Sequence, residues 1–172
     1  MGLKFPGEQP RLADDVSFEL LKEEHIPLAV EAIKTFRINM REAITAGRST
    51  KSARTPQISL PYTAETMARQ LSKGTLKGLV AMHEGEMVGL ITYSLIADPS
   101  APKPDLIFVS TLWVHGGKRR NSIAQVLIGQ ACVKEGRPAM LFCDQHNQPA
   151  QGFYSRIHGK TLPSARLIIY EP

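Results

Sequence analysis

Leu106 to Val114 is almost wholly apolar or β-branched, and such a run fits a central strand covered on both faces. A turn of small and cationic residues follows, and then Ile123, Val126, Leu127, Gln130 and Ala131 keep one helical face. Gly136-Arg137-Pro138 ends that helix, and Ala139 to Cys143 reads as the next buried strand. Strand, helix and strand in this order make a parallel crossover, which no tight hairpin can replace. That unit commits the chain to a mixed α/β architecture with helices on the faces of a sheet.

The remaining segments extend the sheet. Val16 to Leu21 alternates weakly and predicts a first strand. From Glu23 to Phe36, Ile26, Ala29, Val30 and Ile33 recur at helical spacing, with Pro27 tolerated in the first turn. Arg37 to Tyr62 is less regular, with two prolines and many small polar residues. Thr63 to Leu71 predicts a short helix capped by Thr63 or a neighbour. Leu76 to Met82 and Met87 to Ile96 flank His83-Glu84-Gly85-Glu86, a hairpin signal. Pro149 to Ile157 predicts another short helix, and Ala165 to Tyr170 a last strand. The expected order is β-α-α-β-β-β-α-β-α-β.

Two stretches carry chemistry. The strand, turn and helix start from Leu112 through Lys118-Arg119-Arg120-Asn121-Ser122-Ile123-Ala124 aims backbone N–H groups at one point, with positive charge beside them. A bound pyrophosphate needs that arrangement. One strand later, Asn147-x-x-Ala150-x-x-Phe153-Tyr154 puts a tyrosine on a short helix, within reach of the same cleft. Together they indicate an enzyme that uses a phosphate-bearing cofactor. Neither Gly-x-x-x-x-Gly-Lys-Ser/Thr nor Gly-x-Gly-x-x-Gly occurs to support another kind of nucleotide site.

At 172 residues, one domain is expected from residue 15 onward, behind an arm over residues 1–14. No apolar run approaches the ~20 residues of a membrane span. The N-terminus lacks a signal-peptide core, so a cytoplasmic location is expected. Cys132 and Cys143 read as buried free thiols, and no Cys/His spacing points to a metal. A net charge of +5 suits a phosphate-rich cofactor or an acidic partner.

Element order and both motifs resemble the GNAT superfamily of acyl-CoA-dependent N-acetyltransferases, over roughly Val16 to Tyr170. The family's Arg/Gln-x-x-Gly-x-Gly/Ala signature is matched at Arg119 and Ala124, with Ser122 in place of the middle glycine. Its Asn-x-x-Ala-x-x-Phe-Tyr motif is matched at Asn147, Ala150, Phe153 and Tyr154. The resemblance implies a sheet of six to seven strands with a splayed central parallel pair. It implies acetyl-CoA as co-substrate, its pyrophosphate held by the N–H groups from Arg119 through Ala124. Lys118, Arg119 and Arg120 would supply charge, and Asn121, Ser122 and Ile123 close backbone approach. Leu112 and Val114 would bond the pantetheine arm and the thioester carbonyl through their backbone, and Asn147 would reach the pantetheine amides.

The implied reaction is direct attack by a primary amine in a ternary complex. Tyr154 is the expected donor to the departing thiolate, since a phenol of pKa ~10 is protonated at neutral pH. Many relatives take the amine's proton with a glutamate on the central strand, but Leu106 to Val114 holds no carboxylate. His115, at that strand's end, is one candidate base, because an unperturbed histidine titrates near pH ~6.5. Asp144, His146, and Glu84 or Glu86 through a water are others, as is solvent.

Acceptor choice in the family is usually set between the first two helices, here the basic insertion 37–62. Its Arg37, Arg41, Arg48, Lys51 and Arg54 face the single acid Glu42 and would attract a polyanionic partner, unless the segment is simply a solvated loop. Sparse aromatics there argue against base stacking. The competing readings are a GNAT-fold structural or interaction module with lost catalysis, motivated by Ser122 and the missing carboxylate, and a nucleic-acid binder. A homodimer stays open.

Overall fold

The computed structural model describes residues 15–47, 63–97, 104–119, 122–162 and 167–170. Among the described residues seven strands, β1 (Ser17–Leu20), β2 (Lys77–His83), β3 (Glu86–Ala97), β4 (Pro104–Val114), β5 (Ala139–Phe142), β6 (Lys160–Leu162) and β7 (Leu167–Tyr170), join one mixed sheet. Their order is β1-β2-β3-β4-β5-β7-β6. The helices are α1 (Ile26–Gly47), α2 (Ala64–Ser72), α3 (Ile123–Glu135) and α4 (Gln148–Arg156). The β4–β5 ladder is parallel, as the crossover through α3 requires, and the other ladders are antiparallel.

The sheet separates two cores. On one face α1 and α2 bury Ile26, Val30, Ile33 and Met67 against Val80, Leu90 and Trp113. On the other, Ile123, Leu127, Ile128 and Tyr154 of α3 and α4 pack on Ile91, Tyr93, Ile107, Val109 and Leu141. Gly89 sets how close α3 comes: a Cβ there would lie 2.7 Å from Ile123 Cγ2 and 3.0 Å from Leu127 Cδ1. At its far end α3 is tied down by Glu135, which accepts from Tyr93 Oη at 3.0 Å and Lys77 Nζ at 2.8 Å.

β4 is not a regular strand. Thr92 pairs with Thr111 and Tyr93 with Val109, so Ser110 is an extra residue, a β-bulge. Its hydroxyl donates to the Thr92 carbonyl at 3.1 Å and lies 2.9 Å from Thr92 Oγ1. The bulge shifts the alternation by one. Ile107 and Val109 face α3, and so do Leu112 and Val114, while Trp113 turns to the α1 core. The β4–β5 ladder consists of Ile107↔Ala139 and Phe108↔Met140. Among the described residues no β4–β5 pairing continues past Phe108, although β4 runs on to Val114.

The predicted elements recur with adjusted bounds. α2 starts where expected, with Thr63 Oγ1 accepting from the Thr66 N–H at 3.2 Å. Glu84 and Gly85 both take positive φ in the two-residue turn between β2 and β3. Two expectations need correction. Residues 37–47 do not open an irregular segment; they continue α1, because Ile33, Phe36, Met40 and Ile44 carry the helical spacing through the basic residues. A short strand, β6, also precedes the last strand and was not expected. Residues 48–62, with Arg48, Lys51 and Arg54, and the arm 1–14 lie outside the described residues.

Candidate active site

One end of the sheet collects every element that the two motifs belong to. β4 and β5 both finish there, at Val114 and Phe142, and the β2–β3 turn joins them, since Gly89 pairs with Val114 and Glu86 with His83. α3 and α4 start there. The last turn of α1 arrives from the opposite face, so close that a Cβ on Gly47 would run into the His146 carbonyl. In open sheets, the carboxyl ends of parallel strands are where crevices form.

Below Val114 the chain makes a tight turn. The His115 N–H donates to the Val88 carbonyl at 2.9 Å, and the Gly117 N–H donates to His115 Nδ1 at 3.3 Å. The exposed His115 ring stands edge-on to Trp113, with centroids 6.2 Å apart. Trp113 Nε1 is a buried donor with no acceptor among the described residues. After a 3-10 turn at Gly116–Lys118, Arg119 is extended and exposed, whereas Lys118 is half-buried. Arg120 and Asn121 lie outside the described residues.

Ser122 caps α3 in the left-handed conformation, φ 58° and ψ 6°, without a side-chain cap bond. Glycine adopts this region at no steric cost, whereas an L side chain does so rarely. The first helical bond runs from the Val126 N–H to the Ser122 carbonyl at 3.0 Å. The N–H groups of Ile123, Ala124 and Gln125 therefore have no intrahelical acceptor, and they form the positive end of a 13-residue helix.

The second motif surrounds α4. Asn147 caps it, its Oδ1 accepting from the Ala150 N–H at 3.3 Å. Tyr154, about two turns on, is 9% exposed and packs beside Cys143 and edge-on to Phe153. Burial, and then the neighbouring thiol, push its phenol above the ordinary tyrosine range. Burial likewise pushes the Cys143 thiol up to about 11, with Asp144 adding to the rise and Gln151 opposing it. Asp144 Oδ1 accepts the His146 backbone N–H at 2.8 Å and stands 3.0 Å from His146 Nδ1.

The structure thus brings Leu112, Val114, Ile123, Phe153 and Tyr154 into one cluster on the α3 face. His115 and Arg119 are exposed in the turn that follows β4, and Ser122 caps α3. The family model for GNAT acetyltransferases matches residues 46–159, which span both motifs and the crossover between them. The chain belongs to the GNAT acetyltransferase family.

Solved structures share this GNAT fold. A PaiA N-acetyltransferase from Thermoplasma acidophilum in complex with coenzyme A is 18% identical, with TM-score 0.66 over 91% of this chain and 99% of that one. A predicted acetyltransferase from Clostridium acetobutylicum with acetyl-CoA is 12% identical, with TM-score 0.64 over 87% and 92%. An aminoglycoside acetyltransferase from an uncultured soil metagenomic sample, in complex with trehalose, is 22% identical, with TM-score 0.59 over 84% and 88%. No curated protein matches this chain in sequence. No helix among the described residues is long and apolar enough to cross a membrane.

Sequence reasoning missed the Ser110 bulge and the contact of Gly47 with the loop after β5. A serine in an apolar strand was the one available signal for the first. Nothing local announced the second.

Proposed function

We propose that this GNAT protein moves an acetyl group from acetyl-CoA to a primary amine, by direct attack in a ternary complex. The observation that carries the reading is the open edge of β4 beyond Phe108, which leads to the free N–H groups at the start of α3. An extended amide-bearing arm ending in a pyrophosphate fits that pair of features: strand edge for the arm, helix terminus for the phosphates.

In this reading the N–H groups of Ile123 and Ala124 hold the pyrophosphate, with Arg119, Lys118, Arg120, Asn121 and Ser122 around it. Leu112 and Val114 offer backbone groups to the arm, and Asn147 its free amide N–H₂. Bound acetyl-CoA supplies a thioester whose sulfur must leave with an electron pair and then gain a proton. The Tyr154 phenol, held protonated by burial, is the donor to that sulfur. Overall, an ammonium group and the thioester give an amide, a thiol and one released proton. A small-molecule amine is the favoured acceptor class, supported by the likeness to an aminoglycoside acetyltransferase.

Calorimetry with acetyl-CoA at micromolar concentrations tests the binding half. Thiol release with benzylamine, spermidine, sisomicin and a peptide with a free α-amine tests the transfer half. Binding heat that vanishes in Arg119→Glu, which sets an anion beside the pyrophosphate, supports the site as assigned. An unchanged affinity in that variant would show that the turn is misassigned, and absence of binding in the wild type would remove the reading itself.

A further inference from the structure

We propose that His146, oriented by Asp144, is the base that takes the proton from the acceptor's ammonium group. The inference rests on the acetyl-transfer reading above and names a residue for its unassigned step.

The hydrogen bonds decide which histidine has a lone pair to offer. A carboxylate only accepts, so the 3.0 Å contact of Asp144 Oδ1 with His146 Nδ1 puts the ring proton on Nδ1. In the neutral ring the lone pair then sits on Nε2. The Gln145 amide nitrogen, 3.4 Å away, can donate to it only weakly, from an exposed side chain that an incoming amine can displace. His115 has the reverse arrangement. Its Nδ1 lone pair accepts the Gly117 N–H, so its neutral ring carries the proton on Nε2 and has no free acceptor nitrogen.

Position favours the same residue. His146 lies between the two faces of the sheet: its carbonyl abuts Gly47 at the end of α1, and Asn147 beside it caps the helix that carries Tyr154. A base there stands between the α1 face and the side on which the thioester would lie. The His146 side chain is 32% exposed, so it can reach both an amine and water. The charged groups on the surrounding elements are Asp144 itself, Arg41 and Glu42 near the end of α1, and Arg156 at the far end of α4. Cys143 and Tyr154 are held protonated by burial and cannot serve.

The proton balance is simple. His146 Nε2 takes one proton from the ammonium and becomes an imidazolium facing the Asp144 carboxylate, then returns the proton to water. The nitrogen's second departing proton ends on the thiol by way of Tyr154. Asp144 is a positioning residue.

The test uses the full chain and whichever of the four amines above turns over. His146→Gln should lower kcat at pH 7.5 by roughly 10²- to 10³-fold, with the melting temperature and acetyl-CoA affinity of the wild type. The deficit should shrink as pH approaches the amine's own pKa, where solvent takes the proton. Long-range proton–nitrogen NMR of the free protein should find the Nδ1–H form of His146, and Asp144→Asn should shift it toward Nε2–H and lower kcat less than His146→Gln does. Wild-type turnover in His146→Gln, an Nε2–H form in the wild type, or a larger loss in His115→Gln would each overturn the assignment while leaving acetyl transfer intact. A wild type that binds no acetyl-CoA would overturn both.

Discussion

Two side chains in this protein are held in states that their type resists. Tyr154 is buried beside a thiol, and burial keeps its phenol protonated across the neutral range. A donor that acts only when the sulfur departs contributes to the barrier and not to ground-state binding. Tyr154→Phe is therefore expected to lower kcat by roughly 10²-fold while leaving acetyl-CoA affinity unchanged, compared by stopped-flow thiol release and calorimetry. Full activity would remove the phenol from the mechanism. Ser122 resists in another way, through its φ of 58°. The left-handed region costs an L residue about 1–2 kcal/mol, partly offset in a glycine variant by the freer unfolded chain. Ser122→Gly should raise stability by up to about 1 kcal/mol, and Ser122→Val should lower it, both read from urea unfolding midpoints. A destabilised glycine variant would mean that the side chain is needed where it stands.

At the scale of elements, α3 is positioned from both ends. Gly89 lets it lie close to β3, and the Lys77–Glu135–Tyr93 cluster pins its last turn. For Glu135, burial pushes the carboxyl up, but the bonds from Lys77 and Tyr93 outweigh it, and the folded carboxyl lies below the ordinary range. A depressed folded pKa means that this contribution is present above the unfolded carboxyl pKa of ~4.3 and is lost as pH falls through the lower, folded value. Glu135→Gln should cost about 1–3 kcal/mol at pH 7, with wild type and variant converging in strongly acidic solution. A gap that stays constant from pH 7 to pH 3 would exclude the linkage. Elements are also where the sequence spoke most clearly. The crossover from β4 through α3 to β5, the cap at Thr63 and the β2–β3 turn each follow from local patterns, because period and turn chemistry are local properties. Two things were not legible. The extension of α1 through Arg37 to Gly47 was hidden by charge, although Met40 and Ile44 keep its spacing. The pairing of Asp144 with His146 depends on how one loop folds back on itself, and residue types alone do not encode that.

The molecule as a whole stores protons in its interior. Tyr93, Tyr154, Cys132 and Cys143 are all buried acids whose folded pKa values are raised, the two thiols to about 12 and about 11. In the unfolded chain thiols and phenols ionise near ~8.5 and ~10. Raised folded values mean that this stability is complete below the unfolded pKa and is lost as pH climbs toward the folded one, because the unfolded chain then holds fewer protons. Stability should be level between pH 7 and 8 and fall steeply by pH 10, followed as the urea midpoint by tryptophan fluorescence. A flat profile through pH 10 would contradict four protonated groups in the core.

The bulge at Ser110 has a consequence in counting. A strand assigns its residues to two sides by odd and even position, and one extra residue exchanges the assignment for everything after it. Ile107 and Val109 share a side with Leu112 and Val114 only because Ser110 stands outside the ladder. Drawing Ser110 into register would change no residue of β4. It would nonetheless deliver the indole of Trp113 to the α3 side and send Leu112 and Val114 to the other. The shape of the cleft is thus set by the parity of one strand, and straightening its bulge would alter it more than most substitutions.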